Sequence, residues 1–190
     1  MEHIEIRRPN YEDIQELDHF FEIVITDTFN KEGIGHLVNE MKEEIETKKQ
    51  FIEQDLDSGG EYRYFLIALE RDQIIGSNAI GPANELICTC TGNAFKDLTE
   101  IGTVFVHPEY QQKGIGNLLL NAIYRAMENK AIEEFCMDSG YKMAQKIWQK
   151  KYGSPAYLLN DFWGAGSDHM IWKVKLSKVA FNVKKFSLKG

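Results

Sequence analysis

The sequence predicts an α/β fold with three layers, α-β-α, built on a mixed and largely antiparallel sheet. Two amphipathic segments with helical periodicity come first, short apolar runs separated by turns follow, and a strand-helix-strand unit completes the pattern. This order of elements favours helices packed on the faces of one sheet. The length of 190 residues fits one domain, which we expect to span residues 1–190 and to bury a sizeable core.

A short first strand at residues 4–8 leads into two predicted helices. Asn10 is a suitable N-cap for the first helix, because its side-chain oxygen can accept a hydrogen bond from an unpaired backbone N–H group. The apolar face of that helix is expected to contain Ile14, Leu17, Phe21, Val24 and Ile25. The second helix follows Gly33 and Gly35, carries an acidic face and ends in the segment "DSGG" at residues 57–60.

Apolar and β-branched runs predict the strands. "EYRYFLIALE" and "QIIGSNAIG" form a predicted hairpin joined by an Arg-Asp turn, and "ELICTCT" is predicted to be another short strand. The run "LTEIGTVFVHP" is a further strand that Pro108 closes, because proline cannot continue a central ladder. A helix at about 114–130 and the strand "IEEFCMDS" follow. We then expect a helix from a cap at Ser139 to near Gly153, and two last strands in "AYLLNDFW" and "HMIWKVKL".

Composition and charge disfavour several classes of function. The net charge of −7 disfavours a nucleic-acid partner, and the Lys-rich stretch at residues 173–190 is expected to be a solvated last strand. No apolar run is long enough to cross a bilayer, and the N-terminal sequence lacks a signal peptide, so we expect a cytoplasmic protein without a membrane partner. Cys88, Cys90 and Cys136 are predicted to be free thiols, and no metal site is expected.

The segment "QQKGIG" stands where a predicted strand turns into an amphipathic helix. A helix N-terminus has unpaired N–H groups and a partial positive charge, and glycines there allow a phosphate to approach the backbone. A P-loop is a poor fit, because Gly116 is followed by Asn117 and Leu118 rather than by Lys and Ser or Thr. A dinucleotide fingerprint needs a small residue at position 119, which is Leu. A helix start that merely needs a glycine turn remains the structural alternative.

The segment resembles the pyrophosphate loop of the GNAT superfamily of N-acetyltransferases, Gln/Arg-x-x-Gly-x-Gly/Ala, which Gln111, Gly114 and Gly116 match. The preceding "VFVHPEY" and the order of elements along most of the chain are also similar to that family. The resemblance implies acetyl-coenzyme A as the acetyl donor and co-substrate. It also implies that backbone groups of Val104 and Val106 pair with the pantetheine arm. The amides that would hold the pyrophosphate are those of Gln112, Lys113, Gly114, Ile115, Gly116 and Asn117.

Acetyl transfer to an amine needs a base, a donor for the oxyanion and an acid for the leaving thiolate. The resemblance makes Glu100 the candidate base, acting directly or through a water, because many family members carry a catalytic glutamate at this place on the strand; an exposed glutamate at a strand start is the alternative. The resemblance places the oxyanion donor among the backbone N–H groups near Val104 to Val106. The family pattern has a Tyr where this chain has Trp148, and indole cannot protonate a thiolate, so we expect Trp148 to pack in the core. Tyr141 is the candidate acid; Ser139, Tyr152 and water are its alternatives.

The loop between the last two strands is expected to contribute to the acceptor site, as in many family members. His169 is therefore a candidate second base or substrate contact beside Asp168, or otherwise a polar residue that begins a strand. In the fold that the resemblance implies, the acidic second helix lies near the acceptor side, which favours a small cationic amine as the acceptor. The alternatives are a module that binds acyl-coenzyme A without efficient turnover and, more distantly, an enzyme that transfers longer acyl chains. A protein N-terminus as acceptor and a homodimer both remain open.

Overall fold

The computed structural model describes residues 4–179. Its first half contains β1 (Ile4–Arg7), a 3-10 turn (Tyr11–Asp13), α1 (Ile14–Lys31), α2 (Val38–Ser58), β2 (Tyr64–Glu70), β3 (Gln73–Pro82) and α3 (Glu85–Cys90). Its second half contains β4 (Thr99–Val106), a 3-10 turn (Pro108–Tyr110), α4 (Ile115–Asn129), β5 (Glu134–Ser139), α5 (Lys142–Tyr152), β6 (Tyr157–Leu159), β7 (His169–Lys175) and a 3-10 turn (Leu176–Lys178). Of the Lys-rich stretch, residues 180–190 lie outside the described part.

The strands form one sheet in the order β1-β2-β3-β4-β5-β7-β6. The pairs β1–β2, β2–β3, β5–β7 and β6–β7 are antiparallel, and β4–β5 is parallel. This confirms the predicted α/β class with a mixed, largely antiparallel sheet. The described chain packs into two compact units, which we call the first unit (residues 4–80 and 103–126) and the second unit (residues 81–102 and 127–179). The single domain expected from the length stays a prediction.

The core of the first unit is built on α1. Asn10 caps the helical segment as predicted, since its side chain accepts from the Glu12 amide at 2.8 Å and its own amide donates to Asp13 at 2.7 Å. The buried residues of α1 are Leu17, Phe20, Phe21, Val24, Ile25 and Phe29. Each buried side chain of this kind contributes about 1.5–3 kcal/mol relative to exposure. Ile14 is only half-buried.

The turns of the first unit follow the predicted chemistry. Gly59 ends α2 in the left-handed region at φ 61°, as the "DSGG" segment indicated. Arg71 and Asp72 join β2 to β3 with φ angles of 52° and 64°, the pattern of a two-residue hairpin turn. Gly76 in β3 leaves room for α4, since a Cβ there would lie 2.8 Å from Leu119 Cδ1.

The prediction of a strand at "ELICTCT" is wrong: the segment is helix α3 of the second unit. Asn84 caps it by accepting from the Ile87 amide at 2.8 Å, and Ile87 packs into a small core with Phe95, Cys136 and Ile171. The alternating Cys-Thr-Cys pattern favoured a strand, but the cap at Asn84 starts a helix whose single buried residue is Ile87.

A second correction concerns the start of α5, where Tyr141 and not Ser139 is the N-cap residue. The Ser139 hydroxyl instead accepts from the Tyr141 amide at 3.1 Å, which orders the turn before the helix. The three cysteines are free, as predicted. Among the described residues, no helix is long and apolar enough to cross a membrane, and no group of three or more His, Cys, Asp or Glu side chains is arranged to hold a metal ion. The cytoplasmic location stays a prediction.

Candidate active site

The loop between β4 and α4 belongs to the first unit and has the shape of an anion site. His107 follows β4, and its ring nitrogen accepts from the Glu109 amide at 3.4 Å. Gln112 and Gly114 then have φ angles of 61° and 88°, so the chain makes two left-handed steps before α4 begins. Only glycine takes the second of these without strain, which explains the residue at position 114.

Most N–H groups at this helix start lack a backbone acceptor among the described residues. The amides of Asn117 and Leu118 donate to the Gly114 carbonyl, each at 3.1 Å, so the Asn117 amide already has a partner. Within the described part of the chain, the amides of residues 112–116 find no backbone acceptor. Among residues 4–179, a Cβ at Gly116 would meet only Val106 Cγ2 at 3.7 Å, an ordinary contact. With respect to these residues the space over Gly116 is open, and the loop fits a diphosphate.

Gln111 braces the loop rather than pointing freely from it. Its amide nitrogen donates to the Val106 carbonyl at 3.2 Å, and its oxygen accepts from Lys31 Nζ at 2.9 Å. Lys31 in turn donates to Asp27 at 2.6 Å. The side-chain nitrogen and oxygen of Gln111, a residue predicted to contact the cofactor, therefore both have hydrogen-bond partners in the protein. The sequence analysis missed Lys31, since nothing local links the end of α1 to a loop 80 residues later.

Strand β4 contains a backbone distortion. Thr103 is buried and has a φ angle of 53°, which is rare for a β-branched residue and costs about 1–3 kcal/mol. Its carbonyl accepts from the Ser77 hydroxyl at 3.0 Å. Such strain persists where the surroundings hold it and is concentrated at functional sites. Val104 and Val106, the residues predicted to face the pantetheine arm, directly follow this kink and are half-buried.

Glu100 lies in the second unit and is buried, with 8% of its surface exposed. It is therefore not the exposed glutamate that the alternative required. Its Oε2 accepts from the Asn84 amide at 2.7 Å, and its partner across the parallel pair is Cys136. A Cβ at Gly102 would lie 2.9 Å from Glu100 Oε1, so the glycine leaves space for the carboxylate.

A chain of polar contacts continues from Asn84. Its side-chain nitrogen lies 3.4 Å from both carboxylate oxygens of Asp138, and Asp138 Oδ2 lies 3.1 Å from His169 Nε2. The indole N–H of Trp163 donates to His169 Nδ1 at 3.1 Å. The bond from Trp163 assigns the imidazole proton to Nε2, which then donates to Asp138. His169 begins β7, and both of its ring nitrogens have partners, so its place among the bases stays a prediction that this geometry does not favour.

Of the remaining candidate residues, some pack in the core and one stays a candidate for proton transfer. Trp148 is buried and stacks on Tyr152, with ring centroids 5.9 Å apart, and Tyr152 also meets Phe135 edge-on at 5.7 Å. Both rings therefore serve the packing of the second unit, as expected for Trp148. Tyr141 is half-buried at the start of α5 and stays the candidate acid. Asp168 accepts from the Asp161 amide at 2.9 Å and thereby closes its loop.

Cys136 is the buried thiol beside the carboxylates. Burial raises its pKa to about 12, and the charges of Glu100 and Asp138 add to the effect. The thiol therefore stays protonated at neutral pH and is a poor nucleophile.

Comparison with known proteins identifies the family. The model of the acetyltransferase (GNAT) family matches residues 21–153, whereas comparison with curated proteins gives no match. A GNAT-family protein from Desulfovibrio desulfuricans has a TM-score of 0.70 at 18% identity, covering 92% of this chain and 99% of its own.

Two further structures were solved with the cofactor. The PaiA N-acetyltransferase of Thermoplasma acidophilum, in complex with coenzyme A, has a TM-score of 0.66 at 20% identity and covers 91% of this chain and 99% of its own. The protein YncA of Salmonella typhimurium, with acetyl-coenzyme A, has a TM-score of 0.64 at 14% identity and covers 96% and 99%. These identities show a shared fold, and the family model covers well over half of the chain. The chain therefore belongs to the GNAT family of acetyltransferases, whose acetyl donor is acetyl-coenzyme A.

Proposed function

We propose that the protein transfers an acetyl group from acetyl-coenzyme A to a primary amine of a small cationic molecule, by direct attack of the amine on the thioester. The observation that carries the proposal is the buried carboxylate of Glu100, held by the Asn84 amide at 2.7 Å. The same strand, β4, continues into Val104 and Val106, the proposed pantetheine contacts. One strand thus carries both the proposed base and the proposed cofactor contacts.

The loop residues would bind the donor. The open amides of residues 112–116 and the positive end of α4 suit its diphosphate, and Lys113, whose Nζ lies 4.9 Å from the Tyr110 ring centre, adds a cation. Hydrogen bonds to charged groups contribute about 1.5–3 kcal/mol each, so a few of them anchor the molecule. To bind the donor, the Asn117 amide and the Gln111 side chain would have to break the hydrogen bonds that they make within the protein. Acetyl-coenzyme A supplies the activated acetyl group.

Glu100 would deprotonate the acceptor, directly or through a water. An alkylammonium has a pKa of about 10.4, so little of it is nucleophilic at neutral pH, and a positioned base contributes about 10²–10⁴-fold. Backbone N–H groups near Val104 to Val106 would stabilise the oxyanion, and Tyr141 would protonate the leaving thiolate. Cys136 stays protonated, which supports direct attack over a covalent intermediate on that thiol.

The acceptor class rests on charge. The chain has a net charge of −7, and α2 carries four glutamates in its first half: Glu40, Glu43, Glu44 and Glu46. Asp138 adds a partly exposed carboxylate in the second unit. These charges raise the local concentration of a cation. A binding module without turnover is the second candidate, because Trp148 occupies the place of the family's Tyr and packs as a core residue.

The test compares Glu100→Gln with the exposed Glu133→Gln as a control, using the best amine from a screen for coenzyme A release. We expect Glu100→Gln to lower kcat about 10²–10⁴-fold at neutral pH and to recover as the pH rises, since the free amine becomes abundant. Its affinity for acetyl-coenzyme A, measured by calorimetry, should match that of wild type. A variant as fast as wild type at every pH would refute the base assignment. Binding of acetyl-coenzyme A without acetylation of any amine would favour the non-catalytic module.

A further inference from the structure

Trp163 is an exposed aromatic residue that is nevertheless fixed in place. Its indole is 57% exposed, and the neighbouring Phe162 is 42% exposed. The loop that carries them is internally bonded: the Trp163 amide donates to the Ser167 carbonyl at 2.9 Å, and the Gly166 amide donates to Asp161 Oδ1 at 2.6 Å. These bonds fix the loop backbone but not the ring, so the orientation of the indole has a separate cause.

The cause is the imidazole of His169, which is only 3% exposed. It accepts the indole N–H at 3.1 Å, and its other nitrogen is fixed by Asp138 at 3.1 Å. Asp138 is oriented in turn by the Asn84 side chain. A chain of polar contacts therefore ends at an exposed ring, and Nδ1 of His169 accepts the hydrogen bond that orients that ring.

Gly140 provides independent support for this position of the indole against His169. A Cβ at this position would lie 2.6 Å from Trp163 Nε1, a distance that real Cβ atoms essentially never show, and 3.1 Å from Cδ1, which is a tight contact. Its φ angle lies outside the left-handed region, so the backbone itself does not demand glycine. The missing side chain makes room for the indole against His169.

We propose that the indole of Trp163, with Phe162, is a binding surface for the ammonium group of the acceptor, and that His169 is the positioning residue that holds it. The rings of Phe162, Trp163 and His169 lie 4.9–5.8 Å apart, and the Asp138 carboxylate contacts His169 at Nε2. Aromatic faces attract cations, and a nearby carboxylate strengthens the attraction. The proposal rests on the proposed function for the identity of the acceptor, but binding of a cation at Trp163 is measurable without turnover.

The first experiment measures binding directly. Trp148 and Trp172 are buried, so quenching by acrylamide reports mainly on Trp163. We expect 1,4-diaminobutane to protect this tryptophan in the wild-type protein, whereas the uncharged 1,4-butanediol should not. The protectable signal should be absent from Trp163→Leu. Equal protection by both compounds, or protection by neither, would overturn the proposal, and neither result depends on whether the protein acetylates anything.

The second experiment separates positioning from folding. Gly140→Ala displaces the indole and leaves His169, Asp138 and Glu100 intact, and Ile147→Ala, at an exposed site on α5, is the matched control. We expect Gly140→Ala and Trp163→Leu each to raise the KM for the amine about three- to thirtyfold, while kcat and the KM for acetyl-coenzyme A stay within a factor of two.

The double variant tests whether the substitutions at Gly140 and Trp163 raise the KM for the amine through the same contact. Gly140→Ala with Trp163→Leu should be no worse than either single variant, because both remove the same contact. Additive effects, or a loss confined to kcat, would show that Gly140 acts through something other than the indole. If the wild type acetylates no amine while diaminobutane still protects Trp163, the proposed function fails and the cation site stands.

Discussion

Replacing Gly116 with alanine should have opposite effects on folding and on cofactor binding. Gly116 is the second residue of α4, its φ angle is not in the left-handed region, and an added Cβ would make one ordinary contact with Val106 Cγ2 at 3.7 Å. Alanine is favoured over glycine in a helix by about 0.5–1 kcal/mol. For a protein of this size, that gain raises Tm by about 1–4 °C.

The same methyl group should weaken binding of acetyl-coenzyme A. It would occupy the open space over the amides of Ile115 and Gly116, where we place the diphosphate. Loss of one charge-assisted hydrogen bond costs about 1.5–3 kcal/mol, which corresponds to a dissociation constant about 10- to 150-fold higher. Stability and affinity then move in opposite directions, which a variant that simply damages the fold cannot produce.

The assay pairs thermal unfolding of the free protein with calorimetric titration of acetyl-coenzyme A. Glu128→Ala, at an exposed site in the last turn of α4, is the control that changes the helix without touching the loop. We expect its affinity to equal that of wild type. A Gly116→Ala protein that binds within a factor of two of wild type, or that melts several degrees lower, would refute the placement of the diphosphate.

Two further predictions concern ionisable groups. Burial raises the pKa of Asp13, but hydrogen bonds from Arg7 and the Asn10 amide outweigh burial and hold that pKa below its usual value. The ionised Asp13 therefore contributes to stability above about pH 4, and this contribution is lost as the pH falls through the pKa of the folded state. Arg7→Met should therefore reduce the free energy of urea unfolding more at pH 6 than at pH 2.5, and an equal loss at both would contradict this. Because the pKa of Cys136 is raised to about 12, a disulfide reagent at pH 8 should modify it only on unfolding, after the other two cysteines; three equal rates would show that this thiol is not protected.

Local signals were sufficient for most of the fold. Three local features each depend on a few neighbouring residues and could be predicted from the sequence: the Arg71-Asp72 turn, the Asn10 cap and the glycine after α2. Helix α3 was missed because six residues with one buried side chain give no helical period. The signal that could have identified it is the cap at Asn84, whose side-chain oxygen accepts from the Ile87 amide.

The candidate site could be predicted only where its residues are contiguous in the sequence. The loop from Gln111 to Asn117 is one segment, so its glycines and its helix start could be recognised together. The polar contacts that run from Asn84 through Asp138 and His169 to Trp163 join residues far apart in sequence, and Asp138 gave only a weak signal as a charge beside the apolar residues of β5. The left-handed Thr103 could not have been expected, because a β-branched residue disfavours that conformation and only the folded surroundings hold it there.

Tyr141, the N-cap residue of α5, stays the acid candidate. Trp148 and Tyr152 stack on each other, and the Ser139 hydroxyl is engaged by the Tyr141 amide. The leaving thiol has a pKa of about 8.5, so solvent protonates much of it near neutral pH, and a phenol with a pKa of about 10 adds only modestly. We therefore expect Tyr141→Phe to lower kcat about tenfold, below the range of about 10²–10⁴ for a full acid, and to leave the affinity for acetyl-coenzyme A unchanged. A rate equal to that of wild type would assign the proton to water, whereas a loss of affinity would place Tyr141 in binding rather than in proton transfer.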